Sequence, residues 1–278
     1  MKKSTIIWCL VAAGLMITGA ILAITAARLG ASTLVIWVNG ELKLAKEETS
    51  LEKTKVDPFY NMELDIQCSN VELIPSEDFY IEFDECIGSI DYEVKDDTLV
   101  VNQKGKSAFS FGFALGNEKE NTVRIYYPQE SAFGNVTLEL DMGSINVESL
   151  TAEGLELECD MGSAQFDCCN VGEMDVKADM GDVEFETLSV DKFTVEANMG
   201  NVDISKLNLK EEGTVNCDMG NIEMSFQKPV ETYQICAKID MGTIFINDED
   251  YGSKHRSEGE VPLTITGNMG DIELNFAQ

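Results

Sequence analysis

Over the second half of the chain, apolar and polar residues alternate in short runs that restart at a recurring tripeptide. Asp-Met-Gly begins at Asp141, Asp160, Asp179, Asp218 and Asp240, and Asn-Met-Gly begins at Asn198 and Asn268. Counting that first residue as zero, position minus three holds Leu138, Leu157, Val176, Val195 and Val215, and minus one holds Leu140, Cys159, Ala178, Ala197 and Cys217. Plus four holds Ile145, Ala164, Val183, Val202, Ile222, Ile244 and Ile272; plus six holds Val147, Phe166, Phe185, Ile204, Met224, Ile246 and Leu274. Period-two alternation predicts half-buried strands. The first four tripeptides start 19 residues apart, and the later intervals are 20, 22 and 28. A period near 20 residues with two alternating runs per repeat predicts an all-β fold. The architecture expected is a single-stack β-solenoid, a parallel β-helix with coils of about 19–20 residues.

The tripeptide supplies the corner between the two strands of a coil. Asp and Asn bond their own backbone two residues on, and Gly accepts positive φ without steric cost. Gly143, Gly162, Gly181, Gly200, Gly220, Gly242 and Gly270 are therefore structural. Alternation carried through the corner points the Asp outward and the Met inward. Met142, Met161, Met180, Met199, Met219, Met241 and Met269 then form an internal ladder, since a flexible thioether suits an irregular void. Inward thioethers cannot reach a metal in solvent, which sets aside a Met-rich metal site. The Asp column raises calcium as a weaker candidate at Asp141, Asp160, Asp179, Asp218 and Asp240. Calcium takes six to eight oxygen ligands, and Asn at two of seven corners keeps an Asx turn while dropping the charge.

The N-terminus sets the expected address. Lys2 and Lys3 precede an uncharged apolar run from Ser4 to Ala27, and about 20 apolar residues suffice to span a bilayer. The reading is a cytoplasmic tip at 1–4, a transmembrane helix at 5–27 and a juxtamembrane linker at 28–58, with the remainder extracytoplasmic. A cleaved signal peptide is the rival, because Thr25-Ala26-Ala27 offers a small-residue site. Leu34 to Val38 is too short to span again, and Trp37 suits a membrane interface. Glu41 to Lys55 mixes Glu and Lys with Leu42, Leu44 and Leu51 and reads as a helix or stalk, closed by Pro58.

Residues 59–128 carry a degenerate form of the repeat, and 129–278 the regular solenoid. Met62 to Cys68 alternates, Asn70 turns, and Val71-Glu72-Leu73 resumes; Cys86 to Tyr92 echoes the tripeptide with its following strand. Asp96-Asp97 turns the chain into Thr98 to Asn102, and Phe109, Phe111 and Phe113 follow in a loop that reads as cap packing or a contact patch. A solenoid needs a cap because its terminal strands expose unpaired backbone. The run Val71-Glu-Leu-Ile-Pro-Ser76, the strand Val123-Arg-Ile-Tyr-Tyr-Pro128 and the coils after Asn135 resemble the putative adhesin family of bacterial envelope proteins. The resemblance covers roughly residues 59–278. It implies one N-terminal membrane helix, a right-handed β-solenoid outside it, no catalytic residues to carry over and, for some members, a place in envelope-stress operons.

Charge narrows the partners. The formal net charge is −30, and setting aside Lys2, Lys3 and Arg28 leaves 17 basic against 50 acidic residues, or −33. Such a surface repels nucleic acid and anionic lipid and attracts cations and basic proteins. Within that field His255, with Lys254 and Arg256, forms a small basic island in the polar loop from Asn247 to Glu260, read as a solvated insertion or a binding loop. Outside the apolar run at Cys9 there are seven cysteines, with no C-x-x-C spacing, so mostly buried thiols are expected. One His supports no nucleophilic triad, and no phosphate-binding glycine loop is present. The chain reads as a non-enzymatic surface scaffold for adhesion or interaction, without cofactors, meeting a protein or glycan outside the cell. Alternatives are an envelope-stress sensor or signalling accessory, with cationic peptides on its acidic face, and a carbohydrate-active β-helix enzyme.

Overall fold

The computed structural model describes residues 35–38, 41–44, 48–104 and 121–277. The proposed membrane span at 5–27 and the Phe109–Phe113 loop lie outside them. Among the described residues the structure is all-β, with a 3-10 turn at Val230–Thr232 as its helical element, and none of their helices is long and apolar enough to cross a membrane. Two units are present. In the first, strands Val35–Val38 and Glu41–Leu44 form an antiparallel hairpin. The second holds one 20-stranded sheet. The helix or stalk expected from Glu41 to Lys55 is corrected: Glu41–Leu44 and Glu48–Lys55 are strands, the latter beside Tyr80–Ile87. Pairing with a neighbouring strand overrides the helix-favouring Glu and Lys.

The coils stack in parallel and in register. Leu138 pairs with Leu157, Leu157 with Val176, Val176 with Val195, and Val195 with Val215. On the other side of the corner Ile145, Ala164, Val183, Val202 and Ile222 stack in the same way. These positions form one continuous buried core, in which Phe166 stacks on Phe185 at 4.6 Å and Phe226 on Phe276 at 4.4 Å.

The methionines do not belong to that core. Met161, Met180, Met199, Met219 and Met269 are 40–42% exposed, Met241 is 61% exposed, and Met142 is half-buried. The internal ladder is therefore overturned, and the reason is parity. Positions minus one and plus four are both buried, yet they lie five positions apart, an odd offset that unbroken period-two alternation cannot bridge. The alternation slips by one residue at the corner, so Asp, Met and the residue after Gly all face outward. The Gly takes the slip at φ between +135° and +151°. A methyl group at Gly162 would lie 1.6 Å from the carbonyl oxygen of Gly143, and one at Gly181 would lie 1.8 Å from that of Gly162. No side chain fits there, which explains Gly at every corner.

Chain order and stack order differ at the C-terminal end. Strand Val261–Met269 lies between strands Val202–Met219 and Tyr233–Met241 and pairs with both. The last coil is thus inserted between two earlier ones rather than laid on the one before it, and the corner order runs Met219, Met269, Met241. The polar loop from Asn247 to Glu260 covers the coil left at the end. Its strands Glu249–Asp250 and Lys254–Arg256 pair antiparallel with Ile244–Ile246 and Tyr233–Met241, so the expected solvated insertion is a cap. At the front, Thr98–Lys104 and Thr122–Pro128 form a coil on the one made by Asn61–Ile66 and Asn70–Ser76. Antiparallel strands Tyr80–Ile87 and Ser89–Lys95 close it. The apparent echo of the tripeptide at Cys86 to Tyr92 is therefore part of the cap. Asp96 and Asp97, both at positive φ, make the two-residue hairpin turn that their sequence suggests.

Replacing Gly181 with Ala is expected to cost about 3 kcal/mol, in the range of severe backbone strain, whereas Met180→Gln is expected to stay within about 0.5 kcal/mol. Urea denaturation of the two variants measures both. A large loss for Met180→Gln would return that side chain to the core.

Candidate functional site

Register converts each repeat position into a column running along the stack. The corner is held by hydrogen bonds between coils: the amides of Gly143, Gly162 and Gly181 donate to the carbonyls of Met161, Met180 and Met199 at 2.9–3.0 Å. Where the residue after Gly is Asp or Asn it adds a side-chain ladder that the sequence reading missed. The Asp182 carboxylate accepts the Asn201 amide N–H at 2.7 Å, the Asn201 side-chain oxygen accepts that of Asn221 at 3.0 Å, and Asn221 accepts that of Asp271 at 2.9 Å. Polar residues at plus three were its only signal. The Asx contribution expected at position zero therefore operates at plus three, from one coil to the next. Where the front coil lacks the tripeptide, buried Gln103 accepts the Gln67 and Cys68 amides and donates to Ser69.

The Asp column lies on the surface and is partly relieved of its own repulsion. The Asn198 side-chain amide donates to Asp179 at 2.5 Å and that of Asn268 to Asp218 at 2.7 Å, while Lys238 pairs with Asp240 at 2.6 Å. Asp141 and Asp160 lie in register at the other end, where burial first and then Asp160 and Asp65 push the Asp141 carboxyl above its ordinary range. Among the described residues no group of three or more His, Cys, Asp or Glu side chains comes together as a metal-holding cluster.

Two further outward columns extend the acid away from the corner. One runs through Glu63, Thr137, Glu156 and Asp175 and turns neutral at Thr194 and Thr214; the other runs through Asp65, Glu139, Glu158, Lys177 and Glu196 and turns neutral at Asn216. Glu139 sits between acidic neighbours, and its carboxyl is raised by burial first and then by Asp65, Glu158, Glu156 and Asp141. A shallow groove of about 770 Å³ follows these strands, lined by Glu63, Glu156, Glu173, Asp175 and Glu212 with Lys192 among them. Lys192 reaches Glu173 at 3.7 Å and Glu211 at 3.5 Å, exposed contacts that contribute little. The result is a shallow groove lined mainly by carboxylates on the outer surface of the sheet.

Among the described residues, the remaining groups with titratable chemistry do not gather at this surface. His255 packs edge-on against Tyr251 at 4.4 Å in the C-terminal cap, and burial lowers its pKa. Cys86, Cys159, Cys169 and Cys217 are buried. Burial raises all four thiols, Cys159 to about 11, which leaves them protonated and weakly nucleophilic at neutral pH. Cys168 is exposed.

Fold and surface together define an all-β repeat protein of the solenoid class with acidic outward columns. The chain belongs to the Toastrack DUF4097 family, whose model matches residues 60–277. No curated protein matches it. Among solved structures it is similar to a protein described as a putative adhesin from Bacteroides fragilis, at 14% identity over 82% of this chain and 97% of that one, with a TM-score of 0.47. A putative cell adhesion protein from Clostridium sporogenes shares 16% identity over 83% and 100% of the two chains, with a TM-score of 0.37. A putative lipid binding protein from Parabacteroides distasonis shares 12% over 82% and 97%, with a TM-score of 0.41. At those scores the likeness is one of coarse shape, and membership rests on the match along the sequence.

The raised carboxyls set the sign of a pH dependence. A carboxyl whose folded pKa lies above its unfolded value binds more protons in the folded state, so stability falls as pH rises through that window. Lowering the pH from 7 towards about 5, just above the ordinary carboxylate range, is expected to raise the melting temperature. Glu139→Gln should flatten the rise. His255, lowered by burial, opposes the rise in this window and is outnumbered by Glu139, Asp141 and Glu223; Asp78 and Asp240, lowered by Lys55 and Lys238, act only below it. Thermal melts across this pH range check the sign.

Proposed function

We propose that the chain is a non-enzymatic interaction scaffold, held at the outer face of a membrane by its N-terminal apolar segment, and that it engages cationic protein or peptide surfaces through its acidic side. The observation that carries this reading is the gathering of carboxylates over the front coils, with Glu63, Glu156 and Asp175 in one column and Asp65, Glu139 and Glu158 in the next. A face of one sign raises the local concentration of opposite charge and speeds encounter. An array with a repeat of about 4.8 Å along the stack suits an extended basic segment better than a compact ligand. Adhesion to a surface and sensing of cationic peptides both use this contact, and the columns favour either over recognition of a neutral glycan.

Calorimetric titration of the full-length protein in detergent micelles with a lysine-rich peptide tests the reading. Binding is expected to weaken as salt rises and to fall about tenfold, 1.4 kcal/mol, when Glu156, Glu158 and Asp175 are replaced by their amides. Unchanged affinity in that variant, or selective binding of neutral glycans, would contradict it.

A further inference from the structure

The middle residue of the tripeptide is the repeated feature that the fold leaves unexplained. Position minus one varies among Leu, Cys, Ala, Ile and Gly, and plus four among Ile, Ala and Val, although both are buried. The outward middle position is Met in all seven copies. Packing dictates identity at buried sites and leaves exposed ones nearly free, so this uniformity lies where packing does not require it. Nor is Met favoured by the corner backbone, since Gly takes the positive φ.

Register sets these side chains next to one another. Met142 pairs with Met161, Met161 with Met180, Met180 with Met199, Met199 with Met219, Met219 with Met269 and Met269 with Met241. Cys68 adds a further sulfur at the front, two residues beyond the Leu140–Ile66 pair. The column immediately before the methionines is the Asp and Asn column. The surface thus presents a continuous row of thioethers beside a row of carboxylates.

We propose that this row binds soft monovalent metal cations, Cu(I) or Ag(I), each held between the thioethers of adjacent coils. Thioether sulfur selects soft ions, while the hard ions Ca and Mg prefer oxygen. A metal–sulfur bond of about 2.3 Å, the length found at zinc, gives a sulfur–metal–sulfur span of about 4.6 Å. The strands lie about 4.8 Å apart, so two-coordinate binding needs no movement of the backbone. Thioethers carry no charge, and the neighbouring carboxylates supply the negative potential that draws a cation to them. With two sulfurs per ion, seven methionines hold about three ions. The obstacle to an inward ladder, that solvent metal cannot reach it, does not apply to side chains at this level of exposure.

Full-length protein labelled at its methionine methyl groups, titrated with silver nitrate in chloride-free buffer, tests the site by proton–carbon NMR. The methyl signals of Met161, Met180, Met199 and Met219 are expected to shift, while those of buried Met62, Met174 and Met224 stay in place. A variant carrying Met161→Leu, Met180→Leu, Met199→Leu and Met219→Leu should lose about tenfold or more in Ag(I) affinity with an unchanged circular dichroism spectrum. Silver taken up by cysteines alone, with the ladder methyls unmoved, would overturn the proposal, as would undiminished affinity in the folded variant. Should the variant not fold, the shifts in the wild-type protein decide.

Discussion

Everything in the regular part of the structure depends on hydrogen bonds that run from coil to coil through the corners. A strand ladder needs its neighbour at a fixed spacing, and the corner must keep that spacing while turning the chain. Gly162 N–H to Met180 carbonyl, Gly181 to Met199 and Gly200 to Met219 hold it at 2.9–3.0 Å. Each Gly lies so close to the Gly carbonyl of the neighbouring coil that a methyl group has no room. The plus-three Asx ladder adds a side-chain bond beside the backbone one.

A fixed register has a chemical consequence: whatever residue type is repeated becomes a column. Phe166 stacks on Phe185 inside, and the same rule on the outside gathers carboxylates into a face and thioethers into a row. Burial first, and the stacking of like charges after it, raises the Glu139 and Asp141 carboxyls. Asn198, Asn268 and Lys238 reduce the like-charge repulsion at other corners. The balance leaves acidic columns on the outer surface of the stacked strands.

The stacked coils, the glycine corners and the hairpin turn at Asp96-Asp97 were legible because period and turn chemistry are local signals. The Met orientation was legible too, but only by counting: buried positions at minus one and plus four cannot both be inward unless the alternation slips between them. Following the alternation through the corner instead placed the methionines inside. Stack order was not legible at the C-terminal end, since insertion of Val261–Met269 beside Val202–Met219 is decided by strand pairing across 50 residues, as in the Asn268–Asp218 contact. The same holds for the cap formed by Lys254–Arg256, whose polar composition gives no sign of pairing with Tyr233–Met241. Of the candidate site, net acidity was plain from composition, but its gathering into adjacent columns required the register.

Amide hydrogen exchange at the corner glycines tests the coil-to-coil ladder most directly. The N–H groups of Gly162, Gly181 and Gly200 sit beside exposed Asp or Asn and Met side chains, yet slow exchange is expected, comparable to the strand amides of Val176 and Val195, because each donates to the next coil. Exchange at the rate of an open surface turn would contradict it.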